Sequence, residues 1–356
     1  MLAEYTPGSG AVFEKADSYW NDAANESKSA DDGYCPWWDC TKLDKIEVVF
    51  ITDDSARAIA LESGTIDIAS SITVTDMMNF QSGKNAGNFN VGTYPGNIYD
   101  ISFNASSSSV TSNYNLRMAL AHCIDAQGVL DLALDGEGLV LKAWAFPTYV
   151  DWQQSWTDDD YFEYDLDLAK EYLEKFYAET GTTASTLNLR FVIQSGGTTS
   201  KIAESIQAYI VELVGNPTCV TLDTYDLATY EQMCLDPDAF DLLLLSSQSV
   251  TRIYSTTNWS RQADASKTQS GDDIWHSGDA KGQELLHLAL NEETHSDATV
   301  AAFQAYINEM AYMKTLISNN TFAVGAGWIK NMDRCLGYKS ALAVLALDYD
   351  WSQSGK

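Results

Sequence analysis

The chain has 356 residues, of which 45% are hydrophobic, and a formal net charge of −29 from 21 Lys+Arg against 50 Asp+Glu. That acidity repels nucleic-acid phosphates and anionic membrane surfaces, which excludes both as expected partners. With 12% aromatic and 20% charged residues the composition is that of a folded protein rather than a disordered one; the length suggests two domains, and no apolar run approaches the roughly 20 residues that span a bilayer.

In chain order, residues 1 to about 20 read as two short strands joined at Pro7-Gly8, followed by a polar loop over 21–41. Ile46 to Ile51 is rich in β-branched residues and reads as a strand. Asp53, Asp54 and Ser55 offer an N-cap, Ala56 to Glu62 continue as a helix, and Gly64 ends it in the left-handed region. Ile66 to Ala69 opens the next strand, so the segment reads as strand-helix-strand, the repeating element of α/β domains. A helix near 74–80 follows, then strands over 89–94 and 98–103 separated by Pro95-Gly96. The serine run 106–109 has linker composition and marks a domain boundary near 107.

Apolar residues at helical spacing predict helices over 114–122 and about 127–134, broken by Asp135-Gly-Glu-Gly138. Trp144-Ala-Phe146-Pro opens an aromatic loop. From 165 to 245, helices (166–180, 200–214, 229–235) alternate with strands (187–193, 219–225, 240–245). This alternation predicts a mostly parallel sheet, and the continuous apolar run Phe240 to Leu245 predicts a strand buried on both faces. Residues 246–280 have little periodicity, and a loop of that length is usually functional or mobile. Helices over 281–293 and 297–318, a short strand at 321–324 and an apolar segment at 342–347 complete the chain.

Enzyme signatures are missing: the sequence has no G-x-S-x-G, Walker A, H-E-x-x-H or strand-borne G-x-G-x-x-G motif. Ser195-Gly-Gly197 is a plain strand-to-helix turn, or an anion site at the helix N-terminus. Asp158-Asp-Asp160 reads as an exposed acidic run. Of the six cysteines, Cys35 and Cys40 are close enough for a local disulfide, with free thiols and a metal as the other readings. The metal reading lacks a second ligand pair, and Cys123 falls within an apolar helix pattern, as a small core residue does. No cofactor is expected.

Several words occur in a telling order: Glu4-Tyr-Thr-Pro-Gly8, Phe13-Glu-Lys15, the 42–69 segment KLDKI…DDSARAIALESGTIDIA, Tyr99-Asp-Ile-Ser-Phe-Asn104, Leu116-Arg-Met-Ala-Leu-Ala-His-Cys-Ile-Asp125, Asp165-Leu-Asp-Leu-Ala-Lys-Glu-Tyr-Leu173 and Lys201-Ile-Ala-Glu-Ser-Ile-Gln-Ala-Tyr209. Taken together they resemble the family-5 extracellular solute-binding proteins, the oligopeptide- and dipeptide-binding components of ABC importers. The resemblance implies an α/β, two-lobed periplasmic-binding type II fold with mixed, mostly parallel sheets. Lobe I would comprise 1–107 completed by the tail 326–356, and lobe II 108–325. It also implies a longer relative, whose N-terminal part carries a signal peptide, often a lipid-anchored cysteine, and about half of lobe I. The expectation is therefore a C-terminal portion of such a protein or a truncated product, with a short cytosolic relative as the alternative.

The resemblance further implies non-catalytic capture of a peptide outside the cytoplasmic membrane by a monomer. The partners would be a permease and an ATPase, and membrane association would come only through the absent anchor. Three segments would face the ligand. They are the strand with Tyr99, Phe103 and Asn104, the aromatic loop with Trp144 and Phe146, and the loop after the 240–245 strand with Gln248, Arg252, Tyr254 and Trp259. Many relatives carry an acid in that third segment to capture the peptide's amine. Here the position falls near Val250, with Arg252 close by and no acid between Asp241 and Asp264. Arginine favours a carboxylate or other anion over an amine, so an oligosaccharide or anionic solute is the alternative ligand. A hydrolase on the same scaffold, and a sensor or adhesion module that has lost transport, are the rival classes.

Overall fold

The computed structural model describes residues 1–17, 43–142, 162–247, 275–291, 293–335, 344–345 and 347–354. They form two compact units, one from Met1–Gly96 with Asn320–Lys356 and one from Asn97–Asn319. The divisions fall at 96/97 and 319/320, upstream of the 107 that the serine run suggests and of the 325 that the resemblance implies. Those serines are built into the fold instead. Ser109 Oγ donates to Asp241 Oδ1 (2.6 Å), Ser108 Oγ donates to the Pro237 carbonyl (3.3 Å), and Ser106 N–H donates to Asn104 Oδ1 (2.9 Å). Short hydroxyl side chains favour such local bonding, which turns an apparent linker into an ordered corner.

In the first unit, β1 (Leu2–Thr6), β2 (Gly10–Glu14) and β3 (Lys45–Val49) form an antiparallel sheet in the order β1-β2-β3. Helix α1 (Asp54–Glu62) follows, capped by the Asp53 carboxylate, which accepts the Ala56 N–H at 2.7 Å. Gly64 then adopts φ +72°, as its place past the helix end requires. Strand β4 (Ile68–Ile72) pairs antiparallel with the far end of β10 (Met313–Ala326), Ile72 opposite Phe322. The expected strand, helix and strand all form, but they do not make one unit: β3 and β4 belong to different sheets. β3 is spoken for by the β1–β2 hairpin, while the buried positions of β4 serve a separate core. That core packs Leu61, Ile72, Met77 and Phe80 of α1, β4 and α2 (Val74–Gln81) against Phe322 and Val324. A second cluster joins Tyr94, Ala323, Trp328, Ile329, Met332 and Leu347, where β11 (Ile329–Lys330) pairs with β12 (Asp348–Tyr349).

Strand β5 (Phe89–Phe103) runs without a break through Pro95-Gly96, where two strands were expected. Proline has no N–H to give a ladder. None is required of it on the β9 side, because pairing with β9 (Leu242–Ser247) starts only at Ile98. Gly92 shows the packing limit of this strand: a Cβ there would overlap the Met332 carbonyl.

In the second unit, the residues from Ile98 onward belong to a sheet ordered β5-β9-β7-β8, with β7 (Leu189–Gln194) parallel to β8 (Val220–Tyr225) and to β9. β5 is antiparallel to β9, and β6 (Gly138–Val140) is antiparallel to β10. The sheet is therefore mixed, with β7 parallel to β8 and β9, and β5–β9 and β6–β10 antiparallel. Alternation along buried strands splits the core in two. Phe191, Ile193, Leu242 and Leu244 face α3 (Tyr114–Cys123), α4 (Ala126–Leu134), α5 (Leu166–Thr180) and α6 (Gly197–Val214). Val192, Leu243 and Leu245 face α7 (Leu227–Leu235), α8 (Ala280–Leu290) and α9 (Asp297–Glu309). Cys123 is fully buried, as its helix pattern suggests.

The helix expected over 297–318 ends at Glu309. Ala311 turns at φ +51°, and residues 313–318 open the long strand β10. The β-branched Thr315 and Ile317 suit a pleated strand, and pairing of Ile317 with Val140 and Asn319 with Gly138 overrides the helical periodicity. The loop over 21–41, the Cys35–Cys40 pair, the aromatic loop and most of 246–280 lie outside the described residues.

Candidate functional site

At one end of the second unit's sheet, strand register sets Tyr99 opposite Ser246 and Ile98 opposite Ser247. Period-2 alternation puts Asn97 on the same face as Tyr99. Asn97 Nδ2 donates to Ser246 Oγ (2.9 Å), and the Asn97 backbone N–H donates to Asn319 Oδ1 (2.7 Å). Asn97, Ser246 and Asn319 are half-buried, whereas Tyr99 is 3% exposed. Burial pushes the Tyr99 phenol up, against the opposing effect of hydrogen bonds from the Asn97 amide and the Ser246 hydroxyl. The group thus stays a neutral phenol within a set of amides and hydroxyls. Such a set can hydrogen-bond amide or hydroxyl groups of a ligand, and it contains no nucleophile paired with a base.

Phe103 and Asn104, also expected to face a ligand, do not. Phe103 is fully buried in the core, and its N–H donates to the Tyr312 carbonyl (2.9 Å). Asn104 is equally buried. Its Nδ2 donates to the carbonyls of Pro237 (2.8 Å) and Phe240 (2.7 Å), and its N–H donates to the Asp241 carbonyl (2.9 Å). Each donor is committed to holding the turn ahead of β9, so this asparagine is a staple of the fold. Trp144, Phe146, Gln248, Arg252, Tyr254 and Trp259 lie outside the described residues.

The sequence reading missed Asn97, Ser246 and Asn319. The available signals were the spacing of Asn97 two residues before Tyr99, and the two serines that end the apolar run of β9. Trp275 is 1% exposed. Its indole Nε1 donates to Ser102 Oγ (3.2 Å), and its ring stacks on Tyr312 with centroids 5.7 Å apart. Among the described residues, no group of three or more His, Cys, Asp or Glu could hold a metal ion, and no helix is long and apolar enough to cross a membrane.

Residues 1–272 match the sequence profile of the bacterial extracellular solute-binding proteins, family 5. The chain is 27% identical over 204 residues to the oligopeptide-binding protein OppA of Bacillus subtilis, an alignment covering 56% of this chain and 34% of OppA. Among solved structures it is similar to the ABC transporter substrate-binding protein CtaP of Listeria monocytogenes (TM-score 0.75, 15% identity, 98% of this chain and 65% of that one). It is also similar to NikA of Brucella suis, solved with Fe(III)-EDTA (TM-score 0.71, 20% identity, 98% of this chain and 67% of that one). The chain thus spans about a third of the curated relative and about two thirds of these solved proteins, and it shares their mixed α/β fold, that of the two-lobed type II periplasmic binding proteins. With the profile covering well over half of its length, the chain belongs to family 5 of the bacterial extracellular solute-binding proteins.

Proposed function

We propose that this chain serves the substrate-binding component of an ABC importer. In this reading it captures an oligopeptide or dipeptide outside the cytoplasmic membrane and passes it, unaltered, to the permease, with the energy coming from a separate ATPase subunit. It works as a monomer. The observation that carries the reading is the 27% identity to an oligopeptide-binding protein, within a family profile that matches residues 1–272. Tyr99, with Asn97 and Ser246, offers neutral hydrogen-bonding groups suited to peptide amides. By the family resemblance, Trp144 and Phe146 would add apolar contacts, and Gln248, Arg252, Tyr254 and Trp259 polar and aromatic ones.

Arg252, with no acid between Asp241 and Asp264, favours a second reading, in which the ligand presents a carboxylate or another anionic or polyhydroxylated group there. Calorimetric titration separates the two, using a mixed tripeptide library, the same library N-acetylated, and citrate. Saturable binding of the tripeptides supports the importer reading, and equal binding of the acetylated set means that amine capture is not used. Citrate binding without peptide binding would replace the peptide with an anionic solute. Heatless titrations throughout would count against both.

A further inference from the structure

A cavity of about 310 Å³ lies wholly within the second unit, at the corner where α3 hands over to α4. The first turn of α4, the end of α9 and the start of β10 form its walls, and none of the strand-end residues Asn97, Tyr99 or Ser246 reaches it. Asn308 and Thr315 face it while being only 7% and 8% exposed. Asn308 Oδ1 accepts from Gln304 Nε2 (3.2 Å), which leaves its Nδ2 without a partner among the described residues, and Thr315 Oγ1 has none either. Buried polar groups are nearly always satisfied by protein, water or ligand, so two that face one cavity mark it as a place to be occupied.

The surrounding chemistry narrows the occupant. Lys314 is buried, and its ammonium is fixed by the carbonyls of Ala121 (2.7 Å), Ile124 (2.6 Å) and Phe162 (3.1 Å). With Lys142 it places two positive charges on the wall, and Asp125 and Glu163 place two negative ones. The wall is therefore charge-balanced in a chain of net charge −29, a setting that penalises a net ion of either sign and suits a molecule carrying one of each. Val140, Leu141 and Phe162 supply an apolar side. The volume is at the small end of the roughly 300–1,000 Å³ typical of ligand pockets, which favours a small molecule over a long peptide or an oligosaccharide.

We infer that this cavity is a second binding site, for a single free amino acid with an apolar side chain. The test is calorimetric titration of the whole chain with L-leucine, L-leucinamide and 4-methylpentanoate, repeated on Thr315→Val and Val140→Trp. The second substitution fills the cavity from an exposed position on β6. Leucine should bind saturably, and each analogue, lacking one charge, at least tenfold more weakly. Thr315→Val should weaken leucine several-fold, and Val140→Trp should abolish it while the tripeptide titration stays unchanged. Absence of saturable leucine binding, leucine binding indifferent to Val140→Trp, or equal affinity for the analogues would overturn the inference. Loss of peptide binding alone would count only against the importer reading.

Discussion

Replacing Arg117 with methionine should cost the second unit about 4 kcal/mol. The side chain is 3% exposed, and its guanidinium bonds four backbone carbonyls from two distant segments. Nη1 donates to Thr111 and Ser112 (2.8 Å each), Nη2 to Met310 (2.9 Å), and Nε to Ala311 (3.1 Å). The Tyr312 and Tyr114 rings lie 5.4 and 5.9 Å from its central carbon. Methionine retains much of the apolar stem and none of the donors. Four carbonyl acceptors, two buried and two part-buried, lost at about 1 kcal/mol each, plus roughly 0.5–1 kcal/mol of cation–π attraction and less some rescue by water, gives the figure. For a unit of this size that corresponds to about 8–16 °C in melting temperature. Arg117→Lys, with three donors and no planar fork, should fall between. The assay is urea and thermal unfolding followed by circular dichroism. A loss below about 1 kcal/mol at an unchanged m-value would refute the reasoning, because it would mean that the four carbonyls find other partners without Arg117.

Other outcomes follow from the same structure. Gly92→Ala should destabilise the first unit by about 1–3 kcal/mol, because the new methyl overlaps the Met332 carbonyl; wild-type-like unfolding would contradict the close approach. Asp279 feels burial that raises its pKa, but bonds from the Tyr306 and Tyr312 hydroxyls and the Gly282 and Lys281 N–H groups outweigh it, so the net shift is downward. Its contribution to stability is then present above the unfolded carboxylate pKa and is lost as pH falls through the folded value. Asp279→Asn should accordingly flatten the acid limb of the stability profile, and an unaltered limb would exclude that role. Burial pushes the Cys123 thiol up to about 12. Cys123 should resist alkylation in the native chain at pH 8 and react on unfolding, as read by mass spectrometry. If Arg252 contacts the solute, Arg252→Ala should weaken calorimetric binding without lowering the melting temperature; an unchanged affinity would remove it from the site.

The sequence disclosed local structure well wherever side-chain chemistry acts within a few residues. The Asp53 cap, the Gly64 helix end and the doubly buried β9 run all stand where the pattern places them. It misled where partners distant in the chain decide. The apolar periodicity of 310–318 is compatible with a helix, and pairing with strands distant in the chain, β5 and β6, makes it a strand. Pro95 looks like a strand break because sequence does not reveal which edge needs its N–H. Of the residues expected to face a ligand, Tyr99 sits at a strand end among hydrogen-bonding groups, but Asn104, five residues later, is consumed by carbonyls more than a hundred residues away. Local sequence gives no sign of that commitment.

The first unit is assembled from both ends of the chain, with the second inserted between them. This has a temporal consequence. When β4 leaves the ribosome, the stretch of β10 that will cover it is still about 250 residues from being made, which at about 5–20 residues per second is a delay of roughly 10–50 s. Throughout that interval Ile72 and Phe80 have no Phe322 to pack against, and the inserted unit is itself unfinished, because its last strand is the same β10 that carries Phe322. Vectorial synthesis thus leaves the apolar residues of β4 and α2 dependent on whatever shields nascent apolar segments until β10 is made, when both units acquire their shared strand almost together.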